Sequence, residues 1–180
     1  MSLVLPTQQA VLSNRSIYGD PRNQRDRSRS SAVWEKSNVV YYKPPFMLYY
    51  NSSPCRSGIR IHKYCVPVFA LFFEELYSLA KGSETTLTQW GVNKTGGGYN
   101  FRLMRNGTDL SMHSYGCAVD LDPAHNGLGD STPRFLNFPE IAKATKKSGL
   151  CWGADWNGNG TTKDTRTWDA MHWQATAPIG

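Results

Sequence analysis

The stretch Ser111-Met112-His113-Ser114-Tyr115-Gly116-Cys117-Ala118-Val119-Asp120-Leu121-Asp122 decides how this chain is read. It starts polar, bends at Gly116 and runs into apolar residues that suit a strand. Asp120 sits inside that apolar run, where an unpaired carboxylate is costly. His113 precedes Asp120 by seven residues, too far for adjacent turns of one helix. The pair suits a loop feeding a strand, with a cation compensating the carboxylate.

Outward from this stretch the chain alternates short strands and helices. Tyr99-Asn100-Phe101-Arg102-Leu103-Met104 reads as a strand and Asn106-Gly107 as a tight turn. Residues 66–81 read as a helix, because Phe69, Phe72, Phe73, Leu76 and Leu79 recur at spacings of three and four. Pro67 fits its first turn and Gly82 its end. Val39-Val40-Tyr41-Tyr42 and Phe46-Met47-Leu48-Tyr49-Tyr50 are β-prone runs broken by Pro44 and Pro45. Residues 57–65 continue as a strand or open a helix. Residues 138–148 form a second helix with Gly149 as its stop, and residues 151–156 and 168–174 form short strands around a Gly/Asn/Thr-rich loop. No internal repeat is visible. The class is α+β: a small antiparallel sheet with helices on one side.

The 180 residues suit one domain with an arm: an Arg/Ser-rich N-terminal arm over 1–33 and a catalytic domain over 34–180. The arm, wrapped on the domain or partly disordered, holds Arg15, Arg22, Arg25, Arg27 and Arg29 against two Asp. The net charge of +6 favours anionic partners such as wall polymers; nucleic-acid binding lacks a motif. No apolar run is long enough for a membrane span, and the N-terminus lacks a signal-peptide pattern, so synthesis in the cytoplasm is expected. The four cysteines fit no zinc-ribbon spacing. Cys55 and Cys65 are a candidate bridge, while Cys117 and Cys151 read as small buried residues.

Three segments carry chemistry: 111–120, Cys151–Trp156 and Trp168–Trp173. Two His and one Asp make a three-ligand zinc site with the fourth position open for water. His113, Asp120 and His172 supply that set. Asp169, three residues before His172, brings a second carboxylate that can take a proton from water and hand it to a leaving amine. A His taken alone is more often an ordinary residue; the joint context separates these two from the background. His62 and His125 lack such a context and are read as non-ligands, and Asp122 as a turn carboxylate. Trp152, Trp156, Trp168 and Trp173 are core or cleft walls. Asp155, Asn157, Asn159 and Gly160 match the first half of a calcium loop, but Arg166 stands where the bidentate Glu belongs, with Lys163 and Asp164 nearby. A plain loop or lid is preferred to a calcium site there.

The pattern Ser-x-His-x-x-Gly-x-Ala-x-Asp, followed downstream by Asp-x-x-His-Trp, resembles the D-alanyl-D-alanine carboxypeptidase and VanY-like metallopeptidase family. That group includes phage endolysins cutting L-alanyl-D-glutamate bonds. The resemblance runs from about Trp90 to Trp173 and is loose before that. It implies a hedgehog/D-Ala-D-Ala peptidase-like fold, one zinc ion on His113, Asp120 and His172, and Asp169 as acid/base. Arg102 matches the cation near the scissile carbonyl, where it would stabilise the oxyanion. Ser111 matches the motif serine, binding substrate or bracing the site. Many members carry Glu where Asp169 stands; Asp points to the phage-type branch. The implied protein is a monomeric endolysin-like peptidase of peptidoglycan stem peptide, phage- or prophage-encoded, released to the wall by a separate pore. The alternatives are a D-alanyl-D-alanine carboxypeptidase or dipeptidase and a non-catalytic zinc-stabilised module.

Overall fold

The computed structural model describes residues 4–162 and 168–179. Three short helices open where a hydroxyl side chain accepts a backbone N–H: α1 (Gln8–Leu12) at Thr7, α2 (Ala32–Asn38) at Ser31 and, later, α4 (Glu84–Trp90) at Ser83. β1 (Val39–Tyr42) pairs antiparallel with β4 (Ile59–His62), and β2 (Tyr49–Tyr50) pairs with β3 (Ser53–Pro54) in a small hairpin. The long helix α3 (Val66–Leu79) turns Val68, Phe69, Phe72, Phe73 and Leu76 inward at helical spacing. It ends two residues before the expected stop, because Lys81 already takes a left-handed φ of 54°.

The central sheet joins β5 (Thr95–Gly97), β6 (Ala118–Leu121), β8 (His172–Gln174) and β7 (Cys151–Trp152), in the order β5-β6-β8-β7 and antiparallel throughout. Helix α5 (Pro139–Ser148) runs between β6 and β7 and stops at the left-handed Gly149. Strand alternation divides the sheet's work. Trp173 faces the helices: it stacks on Trp152 at 5.5 Å, meets Phe72 of α3 at 5.2 Å and donates to Thr145 Oγ1 of α5 at 2.9 Å. Its neighbours His172 and Gln174 therefore face the other way. The register pairs His172 with Asp120 and Trp173 with Val119. The fold is α+β, with small antiparallel sheets and helices packed on the Trp173 side.

Several expectations change. Residues 99–104 are not a strand; beyond the bridge between Leu103 and Leu110 they form an irregular segment. Their backbone is held instead by the motif: Arg102 N–H donates to Ser114 Oγ at 2.8 Å and Asn100 N–H to the His113 carbonyl at 3.1 Å. The run 46–50 shrinks to the two residues of β2. Cys55 and Cys65 are not bridged, and all four cysteines are free thiols. Within the N-terminal segment Val11 and Tyr18 are buried in the core, and Tyr18 donates to the Ala175 carbonyl at 2.6 Å, while Val4 is exposed. Among the described residues no helix is long and apolar enough to cross a membrane.

Candidate metal centre

His113 rides on a one-turn 3-10 helix (Met112–Tyr115) capped by Ser111, whose Oγ accepts from His113 N–H. Gly116 ends this turn with φ 67°, and a Cβ there would lie 2.7 Å from His62 N, so glycine is required on both counts. The chain then enters β6 and presents Asp120 beside His172 of β8. His113 Nε2 lies 3.2 Å from Asp120 Oδ2, and His172 Nδ1 lies 3.0 Å from Asp120 Oδ1. Ligand atoms of the three residues all fall within 4.8 Å of one another. All three side chains are largely withdrawn from solvent.

The outer nitrogen of each ring fixes where its proton sits. His113 Nδ1 donates to the Gly98 carbonyl at 2.7 Å, just past the end of β5. That carbonyl only accepts, so Nε2 of the neutral ring carries a lone pair. His172 Nε2 meets Gln174 Oε1 at 3.1 Å. The Gln174 amide is oriented by its other contacts: its Nε2 donates to Thr176 Oγ1 at 2.8 Å and to Gln8 Oε1 at 2.9 Å. Thr176 directs its own hydroxyl proton to the Ala177 carbonyl at 3.1 Å, leaving its oxygen to accept from Gln174. Gln174 Oε1 thus faces His172 as an acceptor, and the lone pair of His172 sits on Nδ1. Two imidazole lone pairs and a carboxylate converge with no donor between them, and His113 Nε2 is buried without a hydrogen-bond partner. Only a cation, a proton or a metal ion, reconciles these charges. A donor set of two imidazoles and one carboxylate suits zinc, and the residues present fit such an ion.

Electrostatics agree with that geometry. Burial raises the Asp120 carboxyl, but the hydrogen bonds and charges that His113 and His172 offer it once protonated outweigh this and hold it well below the usual carboxylate range. Burial pushes His172 down, and the Asp120 contact reverses this, so its pKa is raised. Asp169 is raised by burial, against the pull of the His172 charge.

A cavity of about 350 Å³ opens over this cluster and is lined by Asp120, His172, Asp169, Arg102, Arg105 and Ser111, among others. Asp169 is placed there by a tight backbone arrangement: its N–H donates to the Gly153 carbonyl at 2.9 Å and its carbonyl accepts from His172 N–H at 2.9 Å. A Cβ at Gly153 would lie 2.2 Å from the Asp169 carbonyl, so only glycine allows this approach. Asp169 Oδ1 is buried without a partner. Arg102 reaches the cavity, although its Nη1 donates to the Leu103 carbonyl at 3.2 Å in this structure. Ser111 lies in the wall and braces the His113 turn. Trp156 flanks His172 at 5.8 Å, as a cleft wall.

Other residues fall elsewhere. His62 is buried beside Tyr18, Trp34 and Tyr64, and His125 pairs with Asp122 at 2.9 Å; both lie outside the metal-capable cluster. Asp122 is more than a turn carboxylate. It is 1% exposed and neutralised by Lys94 at 3.8 Å, His125 and Arg134 at 3.5 Å. In the 155–160 loop, Asp155 Oδ2 accepts from Gly160 N–H and Asn157 Oδ1 from Asn159 N–H, so these oxygens cap the loop's own backbone. The second half of the calcium pattern, Lys163, Asp164 and Arg166, lies outside the described residues. Sequence reasoning missed Gln174, Gln8, Arg105 and the Gly98 carbonyl. Gln174 had a usable signal, since it stands two residues after His172 in a strand and shares its face.

The antiparallel sheet thus carries a buried His-Asp-His cluster that could hold a metal ion, beside the largely buried carboxyl group of Asp169. Residues 105–175 match the family model described as D-alanyl-D-alanine carboxypeptidase. The matched stretch contains His113, Asp120, Asp169 and His172, together with Arg105 but not Arg102. It supports a peptidase acting on cell-wall peptide of the D-Ala-D-Ala type, in a family that is typically zinc-dependent. No curated protein and no solved structure matches the chain.

Proposed function

We propose that the protein is a zinc peptidase that hydrolyses a D-amino-acid-containing bond in the peptidoglycan stem peptide, as an endolysin-like endopeptidase. The observation that carries this reading is the convergence of two oriented imidazole lone pairs and Asp120 beneath a cavity that also holds Asp169. Zinc held by His113, Asp120 and His172 would supply a Lewis acid that brings the pKa of water to roughly 7.

The chain's own groups do the rest. Asp169 takes a proton from the attacking water and returns it to the amine that leaves. Its burial raises its affinity for that proton, which suits a base working nearer neutrality. Arg102 or Arg105 offers positive charge to the carbonyl oxygen as it becomes anionic. Ser111 keeps the His113 turn in place. The second reading, a D-alanyl-D-alanine carboxypeptidase or dipeptidase, draws on one observation: the cavity has two arginines, enough for an oxyanion and a free terminal carboxylate together.

Mass spectrometry of products from purified peptidoglycan, with Asp169→Ala as control, tests this. New L-alanine and D-glutamate termini, absent with the variant, are expected. Released D-alanine or D-Ala-D-Ala selects the second reading. No product, with zinc bound, overturns both.

A further inference from the structure

A second and larger cavity, about 820 Å³, lies across β5 from the metal centre. One wall is the hairpin of β2 and β3 with the residues just before it, where Met47, Tyr49 and Tyr50 are 39%, 36% and 54% exposed. Large exposed apolar side chains gathered on one wall mark a binding surface more often than chance exposure does. The tip residues Asn51 and Ser52 both hold left-handed φ, at 46° and 65°, which costs energy for non-glycine residues. The floor is Thr95 and Gly96 of β5.

The Lys94 ammonium is already engaged by the buried Asp122 at 3.8 Å, and His125 Nδ1 lies 2.9 Å from the same carboxyl group. Glu84 adds an exposed carboxylate to the lining, so an anionic polymer is disfavoured there. What remains for a ligand is ring faces, the Asn51 amide, the Glu84 carboxylate and the hydroxyls of Ser52 and Thr88. Ring faces bordered by hydrogen-bonding groups fit a ligand with apolar C–H faces and equatorial hydroxyl or amide groups, which is a neutral sugar. The groove lies next to the metal-centre cavity: Asp120 of β6 lines the cavity and Asp122, two residues further on, lines the groove. A peptide in the cavity that remains attached to its sugar chain can extend that chain toward the groove.

We propose that this groove binds the amino-sugar glycan that carries the stem peptide, with Tyr49 and Tyr50 as stacking platforms. This rests on the peptidase reading for the identity of the sugar. It predicts a preference for glycan-borne over free peptide that resides outside the metal centre.

The test uses the purified protein, the exposed-site variants Tyr49→Ala and Tyr50→Ala, and Tyr50→Phe, which keeps the ring. Binding of an N-acetylglucosamine tetramer is followed by NMR titration, and kcat/KM is measured on free and on glycan-borne stem peptide. The alanine variants are expected to weaken tetramer binding and glycan-borne kcat/KM about tenfold, with free-peptide kcat/KM unchanged and Tyr50→Phe near wild type. Cleavage of both substrates with no effect of the alanine variants, or an equal loss on both, overturns the groove and leaves the peptidase. Tetramer binding that depends on Tyr50, with neither peptide cut, keeps the groove as a sugar site and overturns the peptidase. No tetramer binding by the wild type overturns the groove.

Discussion

Gln174→Leu is the most informative single change at the metal centre. It keeps the volume of a buried side chain and removes three hydrogen bonds: to His172 Nε2 at 3.1 Å, to Gln8 Oε1 at 2.9 Å and to Thr176 Oγ1 at 2.8 Å. The first matters most. Without Gln174 Oε1 the proton of His172 has no acceptor on the outer side of the ring. It moves to Nδ1, where Asp120 Oδ1 waits at 3.0 Å. That tautomer closes the lone pair a metal needs. Binding zinc then requires the proton to return to a buried nitrogen with no partner, an unsatisfied donor that costs about 1–3 kcal/mol. The expected loss of zinc affinity is therefore about 10- to 100-fold, in line with other outer-sphere changes. Gln8→Ala leaves Gln174 anchored on Thr176, so its loss should be smaller, about two- to fivefold. Competition with a chromophoric chelator at pH 7.5 reads both, and circular dichroism checks the fold. A folded Gln174→Leu protein binding zinc within about twofold of wild type would refute the tautomer argument.

The remaining predictions concern chemistry, ligation, pH and backbone approach. Asp169→Ala should retain zinc and lose peptidase turnover by about 100-fold or more, measured on stem peptide; turnover near wild type removes Asp169 as the base. His113→Ala should lose stoichiometric zinc, read by metal analysis after gel filtration, and should no longer gain melting temperature when zinc is added. His62 is held neutral mainly by burial, at about 4 against an ordinary 6.5. Its folded pKa is depressed, so the unfolded chain takes the proton first and stability falls as pH drops from about 6.5 to about 4, by about 3 kcal/mol in total. His62→Asn keeps an acceptor for the Tyr64 N–H and cannot titrate, so its urea-unfolding stability should fall less steeply over that window; an unchanged slope would assign the acid loss elsewhere. Gly153→Ala drives a Cβ against the Asp169 carbonyl, which accepts from His172 N–H, and should therefore lower kcat and zinc affinity together; a variant with wild-type values of both would refute the tight approach.

How much of this was legible beforehand follows from where the information lies. His113, Asp120 and His172 announced themselves because a carboxylate in an apolar strand needs a cation and because the spaced His and Asp motifs occur together; that Asp120 and His172 pair in register across β6 and β8 came only from the fold. Helices α3 and α5 carried apolar spacing, a Pro at the start and a Gly near or at the end. Helix α4 carried only Leu87 and Trp90 as inward residues, too few for periodicity, and its Ser83 cap reads equally well as a turn. The segment 99–104 has strand-like composition, yet its partner is a side chain, Ser114, which no pattern of strand pairing anticipates. The burial of Asp122 depends on Lys94 and Arg134, brought to it by tertiary folding. The Gly98 carbonyl has no side chain to signal its part.

The N-terminal segment shows why a motif-bounded reading of the site falls short. By composition residues 1–33 are a polar, basic arm, and the family match begins only at residue 105. Yet Gln8 of α1 reaches the cavity and holds Gln174, which holds the His172 proton on the outer nitrogen. The segment is fastened by Val11 and by Tyr18 in the core, and by the Ala177 N–H bond to the Pro6 carbonyl at 2.8 Å. The Tyr18 and Pro6 contacts anchor the same short stretch, residues 174–177, that orients His172. Loosening the segment should therefore reach the metal through Gln174 before it reaches the sheet. Gln8→Ala tests that order directly, since α1 keeps its Thr7 cap and Val11 its place, and only the link to the metal centre is cut.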